Sequence, residues 1–310
     1  MKAFILAAGF GSRLKPLTTY TPKPLIPVLN VPPICYSLAL LKNAGIRRVI
    51  CNVHYHAGQI REFLSANNSF GMDIHISEER EILGTGGGLK RCESLLDDAP
   101  FLLLNSDIIA DFDLHALISQ HERSGNAGTL MLFETPSARK IGDVGIHRNK
   151  AVDFRNMLNS GFRSDYLYAG AALLDPSIFR YLSSAFSSIV DTGFTGCISD
   201  NSLGFFRHAG FWQDIGTPRA LLDANIRYRK PIMEHFQTMN TLLGTAPHLL
   251  PEDLLIARGA RVNESVIGHG CRIGENSVID HSILLPGSVI AKNTVIREQI
   301  IFPEGTLSVG

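Results

Sequence analysis

Short apolar runs alternate with amphipathic stretches from Lys2 to about Arg207. That alternation is expected when strands and crossover helices wrap around a mostly parallel sheet. Residues 2–7, 49–53, 101–104 and 129–133 read as buried strands, and residues 34–43, 57–66, 87–96 and 114–123 carry helical apolar spacing between them. The pattern predicts a doubly wound, Rossmann-like α/β domain with a mixed sheet, whose ligands lie beyond the carboxyl ends of the strands. The opening run from Met1 to Gly9 imitates a signal peptide, but it stops short at Gly9-Phe10-Gly11-Ser12-Arg13 and reads as a buried first strand.

The pattern changes late in the chain. A helix-like segment follows Arg219 and ends near Phe236, and Gly244-Thr245-Ala246-Pro247 with Pro251 then breaks it. Beyond that break Ile256, Val262, Ile267, Ile273, Ile279, Leu285, Ile290 and Ile296 recur at steps of five or six, with Ala257, Gly268, Gly274 and Ala291 following four of them. A period of six suits a three-sided solenoid, since each flat side takes one short strand with its aliphatic residue inward. About eighteen residues would make one coil, which leaves room for roughly two. The stretch resembles the hexapeptide-repeat left-handed β-helix. The expected organisation is a catalytic domain over 1–238, a linker over 239–255 and a short left-handed parallel β-helix over 256–310.

Composition narrows the class. The 310 residues suit about two domains at roughly 150 residues each. Apolar residues make up 45% and charged residues 19%, with Lys plus Arg equal to Asp plus Glu at 29 each, so no global field favours nucleic acid or an anionic membrane. An anionic ligand must therefore be held by local charge. No apolar run approaches the roughly 20 residues of a membrane span. The scattered cysteines Cys35, Cys51, Cys92, Cys197 and Cys271 form no Cys-x-x-Cys pair, which points to reduced thiols and a cytoplasmic location.

Candidate chemistry starts where the first strand ends. Leu6-Ala7-Ala8-Gly9-Phe10-Gly11-Ser12-Arg13-Leu14-Lys15-Pro16-Leu17-Thr18 is followed by Thr21-Pro22-Lys23-Pro24-Leu25. Glycines after a strand let backbone N–H groups approach phosphate oxygens, and nearby cations add charge at the same place. A dinucleotide fingerprint would want glycine where Leu14 stands, and a Walker loop would want Gly-Lys before Ser or Thr. Taken alone, the glycines could equally make a plain turn. The whole run is more specific, and it resembles the signature of sugar-1-phosphate nucleotidylyltransferases, in which such a loop binds the nucleoside triphosphate. The resemblance implies that Leu6, Ala7, Ala8, Gly9 and Gly11 contact the nucleotide and that Arg13 and Lys23 steady the triphosphate during reaction.

Two aspartates fit the same family. Asp107 follows the buried run 101–104 at its carboxyl end, and Asp214 precedes Ile215-Gly216-Thr217-Pro218, where Thr217 reads as an N-cap and Pro218 as a first helical residue. Singly, either is as well explained as a turn or capping group. The resemblance implies that Asp107 and Asp214 are ligands of Mg²⁺, a hard cation that takes one or two protein carboxylates together with substrate phosphates. The run Leu83-Gly84-Thr85-Gly86-Gly87-Gly88-Leu89 could be a tight strand-to-helix turn, and the family implies that Gly84, Thr85 and Gly86 help hold the nucleobase.

On the sugar side the match is looser. Where many members carry Glu-Lys-Pro, this chain reads Asp153-Phe154-Arg155, and where many carry Asn-Ala-Gly it reads Tyr168-Ala169-Gly170. Gly145, Arg155 and Gly170 are the corresponding sugar-phosphate candidates. His54-Tyr55-His56 has no third metal ligand or His-Glu-x-x-His pattern nearby, and no Gly-x-Ser-x-Gly elbow is present.

The implied reaction joins a nucleoside triphosphate to a sugar 1-phosphate with release of pyrophosphate. Within the family, GTP and mannose 1-phosphate are the leading pair. Muramate-type uridylyl transfer, heptose-type guanylyl transfer and a regulatory subunit that binds nucleotide sugar without turnover are alternatives, and an acyltransferase built on the solenoid is a rival from another class. The solenoid itself suggests a homo-oligomer.

Overall fold

The computed structural model describes residues 1–309. It divides into two compact units, one formed by Met1–Gly9 with Leu40–Trp212 and the other by Phe10–Ala39 with the chain from Gln213 onward. The segment after the first glycine leaves the α/β unit and returns to it within the first long helix.

The α/β unit holds strands β1 (Lys2–Leu6), β2 (Arg48–Val53), β3 (Asp73–Glu78), β4 (Phe101–Asn105), β5 (Ile108–Ala110), β6 (Gly128–Glu134), β7 (Val144–His147), β8 (Lys150–Phe154), β9 (Tyr166–Leu174) and β10 (Leu203–His208). Helix α1 (Pro33–Asn43) enters it, and α2 (Ala57–Ala66), α3 (Gly84–Arg91), α4 (Glu93–Leu96), α5 (Leu114–Ser124), α6 (Ala138–Ile141) and α7 (Thr195–Ser199) follow. Nine strands form one mixed sheet in the order β3-β2-β1-β4-β9-β6-β10-β8-β7. The strands β3, β2, β1 and β4 run parallel. β9 lies antiparallel between β4 and β6.

Burial explains which strands the apolar pattern marks. Ala3, Phe4 and Ile5 of β1 and Phe101, Leu102 and Leu103 of β4 are fully buried, and a strand covered on both faces is apolar at every position. β3, at the sheet edge, alternates exposed and half-covered residues from Asp73 to Ile76 and buries only Ser77, so it lacks the continuous apolar run of a central strand. β9 is irregular as well, with a register shift against β6 between Leu130 and Leu132. The core beneath the sheet gathers Phe4, Leu89, Phe101, Leu103, Leu130, Leu132, Phe154, Ile178 and Phe194.

The second unit carries α8 (Pro218–Ile226), α9 (Arg229–His235) and α10 (Met239–Leu243) before the solenoid, and the strand β11 (Trp212–Asp214) leads into it. Thr217 caps α8 by accepting from Ala220 N–H at 3.2 Å, and Pro218 takes the first turn, as their order in sequence indicates. Residues 239–243, expected in a linker, are helical. Asn225, fully buried on α8, accepts from Leu29 N–H at 2.8 Å and donates to Leu221 O at 2.9 Å, tying the early segment to this helix.

The solenoid has three parallel sides. β12 (Leu255–Ile256), β15 (Arg272–Ile273) and β18 (Val289–Ile290) form one; β13 (Arg261–Asn263), β16 (Val278–Asp280) and β19 (Val295–Arg297) the second; β14 (Val266–Ile267), β17 (Ile283–Leu284) and β20 (Gln299–Phe302) the third, which the hairpin strand β21 (Gly305–Ser308) extends. Each residue pairs with the one 17 positions on, as in Leu255 with Arg272 and Arg272 with Val289. One coil is therefore 17 residues rather than about eighteen, and three rungs stack where roughly two were expected. Ile267, Ile273, Ile279, Leu284, Ile290, Ile296 and Ile301 fill the interior. On the third side the outward residues Val266, Ile283 and Ile300 are buried too, so this side packs on the rest of its unit. The outward Val289 and Val295 of the other two sides stand 69% and 59% exposed.

Candidate active site

The first strand delivers a fixed backbone to the carboxyl edge of the sheet. Leu6 pairs with Asn52 on one side and Asn105 on the other. Its carbonyl accepts from both Ser106 N–H at 3.2 Å and Ser106 Oγ at 2.7 Å. Asp107 follows directly, half-buried in the turn that joins β4 to β5. Ala7 N–H, the first beyond the ladder, is taken by Asn52 Oδ1 at 2.9 Å. A Cβ at Gly9 would meet nothing within 4 Å, which leaves the backbone there open to a ligand.

In the second unit Gly11 adopts a left-handed conformation with φ of 61° at the start of the short helical turn Ser12–Leu14, and Thr18 Oγ1 donates to its carbonyl at 3.1 Å. A side chain at this position would be strained and would sit 2.8 Å from Thr18 Cγ2. Lys23 is buried at 9% exposure, and its Nζ stands 3.9 Å from Asp214 Oδ1. Gly216 N–H donates to the same Oδ1 at 2.5 Å. A Cβ built on Gly216 would collide with Arg13 Nη2 and lie 2.8 Å from Asp214 Oδ1 and 2.9 Å from Lys23 Nζ. A guanidinium and an ammonium from one stretch of chain and a carboxylate from another thus converge on one glycine.

The second glycine run forms the first turn of α3. Gly84 is left-handed at φ of 69°, and a Cβ there would lie 2.5 Å from Ser187 O. Gly86 N–H donates to Ser187 O at 2.8 Å, Ser187 N–H to Leu83 O at 2.9 Å, and Ile189 N–H to Thr85 Oγ1 at 2.8 Å. Close packing against residues 185–189 therefore accounts for Gly84, Gly86 and Gly87, and Thr85 spends its hydroxyl on Ile189. Sequence reasoning pointed to these residues for contact with a base. Their side-chain requirements are met by the protein itself.

The sugar-side candidates are similarly engaged. A Cβ at Gly145 would sit 2.5 Å from Phe162 O, and at Gly170, left-handed with φ of 84°, 2.9 Å from Ile108 Cγ1. Arg155 is exposed with φ of 53°, and its Nε lies 2.8 Å from where a Cβ on Gly142 would be. Beside it Arg163 grips the buried carboxylate of Asp143 through Nε at 2.5 Å and Nη2 at 2.8 Å. Burial pushes the Asp143 carboxyl up, but Arg163 and the local backbone donors outweigh it, and the net shift is down. Asp153, also buried, accepts from the N–H groups of Leu158 and Ser160 at 3.0 Å each and is likewise held down on balance. These two carboxylates pin the loop over residues 155–163.

Burial pushes the thiols of Cys35 and Cys51 up to about 12 and that of Cys197 to about 11, so none serves as a thiolate nucleophile at neutral pH. Among the described residues no group of three or more His, Cys, Asp and Glu side chains is disposed to hold a metal, and no helix is long and apolar enough to cross a membrane. Three residues outside the candidates drawn from sequence carry contacts of their own: Asn52, within the apolar run 49–53; Glu79; and Gly216, beside Asp214.

A doubly wound sheet whose first strand runs into a glycine loop is an arrangement that suits the phosphates of a nucleotide. The comparisons make this specific. Residues 2–230 match the nucleotidyl transferase family and residues 249–307 the GlmU-like C-terminal hexapeptide family; the chain belongs to the nucleotidyl transferase family. It is 34% identical over 234 residues to a mannose-1-phosphate guanyltransferase of Gibberella zeae, a match covering 74% of this chain and 64% of the relative. It is 32% identical over 277 residues to the mannose-1-phosphate guanylyltransferase catalytic subunit beta of Drosophila pseudoobscura pseudoobscura, covering 88% and 72%. A solved structure from Bacillus anthracis, described as a glucose-1-phosphate thymidylyltransferase, superposes with a TM-score of 0.66 at 25% identity over 73% of this chain and 94% of its own.

Two measurements check this geometry. Gly216→Ala is expected to displace the cations and Asp214 together and to lower kcat by about 100-fold, since a displacement near 1 Å at a reacting centre costs about that much; turnover within a factor of about two of wild type would sink the assignment. Arg163→Gln tests the buried pair through pH. A carboxyl whose folded value lies below its unfolded one stabilises above the unfolded value, about pH 4, and that contribution disappears as the pH falls through the lowered value. The variant should therefore melt below wild type at pH 7, with the gap closing by about pH 2; an equal gap at both pH values contradicts the pair.

Proposed function

We propose that this chain transfers a nucleotidyl group from a nucleoside triphosphate to a sugar 1-phosphate, with GTP and mannose 1-phosphate as the substrates. The relatives named for that reaction support the choice of pair. The observation that carries the chemistry is the convergence of Arg13, Lys23 and Asp214 on Gly216. A phosphate oxygen of the sugar 1-phosphate attacks the α-phosphorus in line, and the bond to the β-phosphate oxygen breaks to release pyrophosphate. The obstacle is mutual repulsion. At an effective dielectric near 20 and about 5 Å, each pair of unit charges costs roughly 3 kcal/mol, so positioned cations must offset several such pairs. Arg13 and Lys23 do this, and Lys23 is withdrawn from bulk water where its field is less screened.

The reading includes Mg²⁺, with Asp107 and Asp214 as its carboxylate ligands. The half-exposed carboxylate of Asp214 beside two cations has the hard-oxygen chemistry that Mg²⁺ takes. When bound, the ion neutralises charge on the phosphates. The chain's residues hold and orient the two anions; no covalent protein nucleophile is needed in a reaction that depends on positioning and charge stabilisation. In the glycine loops the backbone at Gly9 and Gly84 approaches phosphate and base, and Gly145, Arg155 and Gly170 border the sugar phosphate in the same reading. A reducing, cytoplasmic setting fits five buried, unpaired cysteines.

Pyrophosphate release across several triphosphates and sugar 1-phosphates tests the function, with GTP and mannose 1-phosphate expected to give the highest kcat/KM and no release from any pair removing the proposal. Asp107→Asn and Asp214→Asn should each lower kcat with Mg²⁺ by about 100-fold while the melting temperature stays near wild type; undiminished turnover in both would remove the metal assignment. We place the chain in a homo-oligomer, supported by the exposed Val289 and Val295 on the open sides of the solenoid. Light scattering should return a multiple of the single-chain mass, and a monomer at all concentrations would refute it.

A further inference from the structure

A carboxamide and a carboxylate lie buried side by side where β2 and β3 end. Asn52 is 1% exposed and Glu79 2%. Asn52 Oδ1 accepts from Ala7 N–H at 2.9 Å, Asn52 Nδ2 donates to Glu79 Oε1 at 2.7 Å, and Glu79 Oε2 accepts from Leu83 N–H at 2.9 Å. The Glu79 backbone is held as well, its N–H by Val53 O at 2.8 Å and its carbonyl by His54 Nδ1 at 2.8 Å. The side chains thus form an unbroken chain of hydrogen bonds from the residue after β1 to the residue before α3. Neither end belongs to a strand ladder: Leu6 is the last paired residue of β1, and Leu83 is the cap position of α3.

Burying a carboxylate is costly, and an apolar pair of similar shape would fill the space without that cost. The fold makes room for the pair all the same. A Cβ on Gly88 would collide with Glu79 Oε1 and lie 2.7 Å from Asn52 Nδ2, so the third glycine of the Gly86-Gly87-Gly88 run answers to the bridge.

We propose that Asn52 and Glu79 are positioning residues that set the spacing between the loop beginning at Ala7 and the glycine turn beginning at Leu83, and so fix the two halves of the nucleoside triphosphate site. The inference rests on the functional reading above. Donors and acceptors make it testable. In Glu79→Gln the new amide must turn its NH₂ toward Asn52 Nδ2 or toward Leu83 N–H, donor against donor. In Asn52→Asp two carboxylates face each other. Combined, the substitutions reverse the middle bond and restore every link, because the amide at position 79 donates to the carboxylate at position 52 while both end bonds are kept.

The tightest wild-type binder among GTP, UTP, ATP and dTTP, found by calorimetry, serves as the probe. Each single variant should raise KM for that triphosphate about tenfold while KM for the sugar 1-phosphate stays within about twofold. The double variant should return the triphosphate KM to within about threefold of wild type. Gly88→Ala should give the same triphosphate-specific loss with both bridge residues intact. A general loss of structure would move both KM values together, and that result overturns the proposal, as does a double variant no better than the worse single. Should a single variant fail to fold, the double decides: folded with restored triphosphate binding it supports the bridge, and unfolded or still weak it overturns it. A wild type that binds none of the four triphosphates removes the functional reading itself, whereas wild-type binding with unaltered variants removes only the bridge.

Discussion

Two cations held close together repel each other unless a counter-charge fixes them, and in this chain their places are set around one glycine. Arg13 and Lys23 come from the segment after β1 and Asp214 from the start of the later part of the same unit, and all three meet where Gly216 lacks a side chain. The backbone N–H of Gly216 holds Asp214, and Asp214 in turn holds the buried ammonium of Lys23. The carboxylate orders the ammonium at some loss of net positive charge.

The same logic governs the glycine runs. Gly11 is needed for its left-handed turn and Gly84 for both its turn and its closeness to Ser187. Gly86 and Gly87 are needed because residues 185–188 press on α3, and Gly88 because a buried carboxylate does. Gly9 alone is open. A glycine-rich loop is therefore a set of separate steric demands, most of them imposed by the protein's own packing rather than by a ligand. The buried pair Asn52 and Glu79 belongs to that packing, a polar link where an apolar one would be easier to accommodate.

Away from the loops, the solenoid shows how one periodic stretch serves two purposes. Its inward aliphatic residues stack rung on rung, and one of its sides is apolar outward as well because it rests on the helices and early segment of its own unit. Asn30 reinforces that seat by donating from Nδ2 to His248 O at 3.1 Å and Ile267 O at 2.9 Å. Segments far apart in sequence thus pack into one unit, residues 10–39 with the chain from residue 213 onward.

The sequence by itself determined what local physics can fix. Strands buried on both faces announce themselves as apolar runs, as in 101–104; a cap shows in Thr217-Pro218; inward positions of a β-helix repeat with a near-constant step; and the glycine loop after β1 with its cations stands in one contiguous run. What only the tertiary structure decided depends on residues distant in sequence. An edge strand such as β3 lacks the apolar signature because one of its sides meets water. Glu79 reads as one more solvated charge until Asn52, 27 residues away, is seen to close over it. Gly216 has no room for a side chain only because Arg13, Lys23 and Asp214 are brought around it, and the distance between side chains on separate segments is set by how the backbone folds and is written in no single stretch of residues.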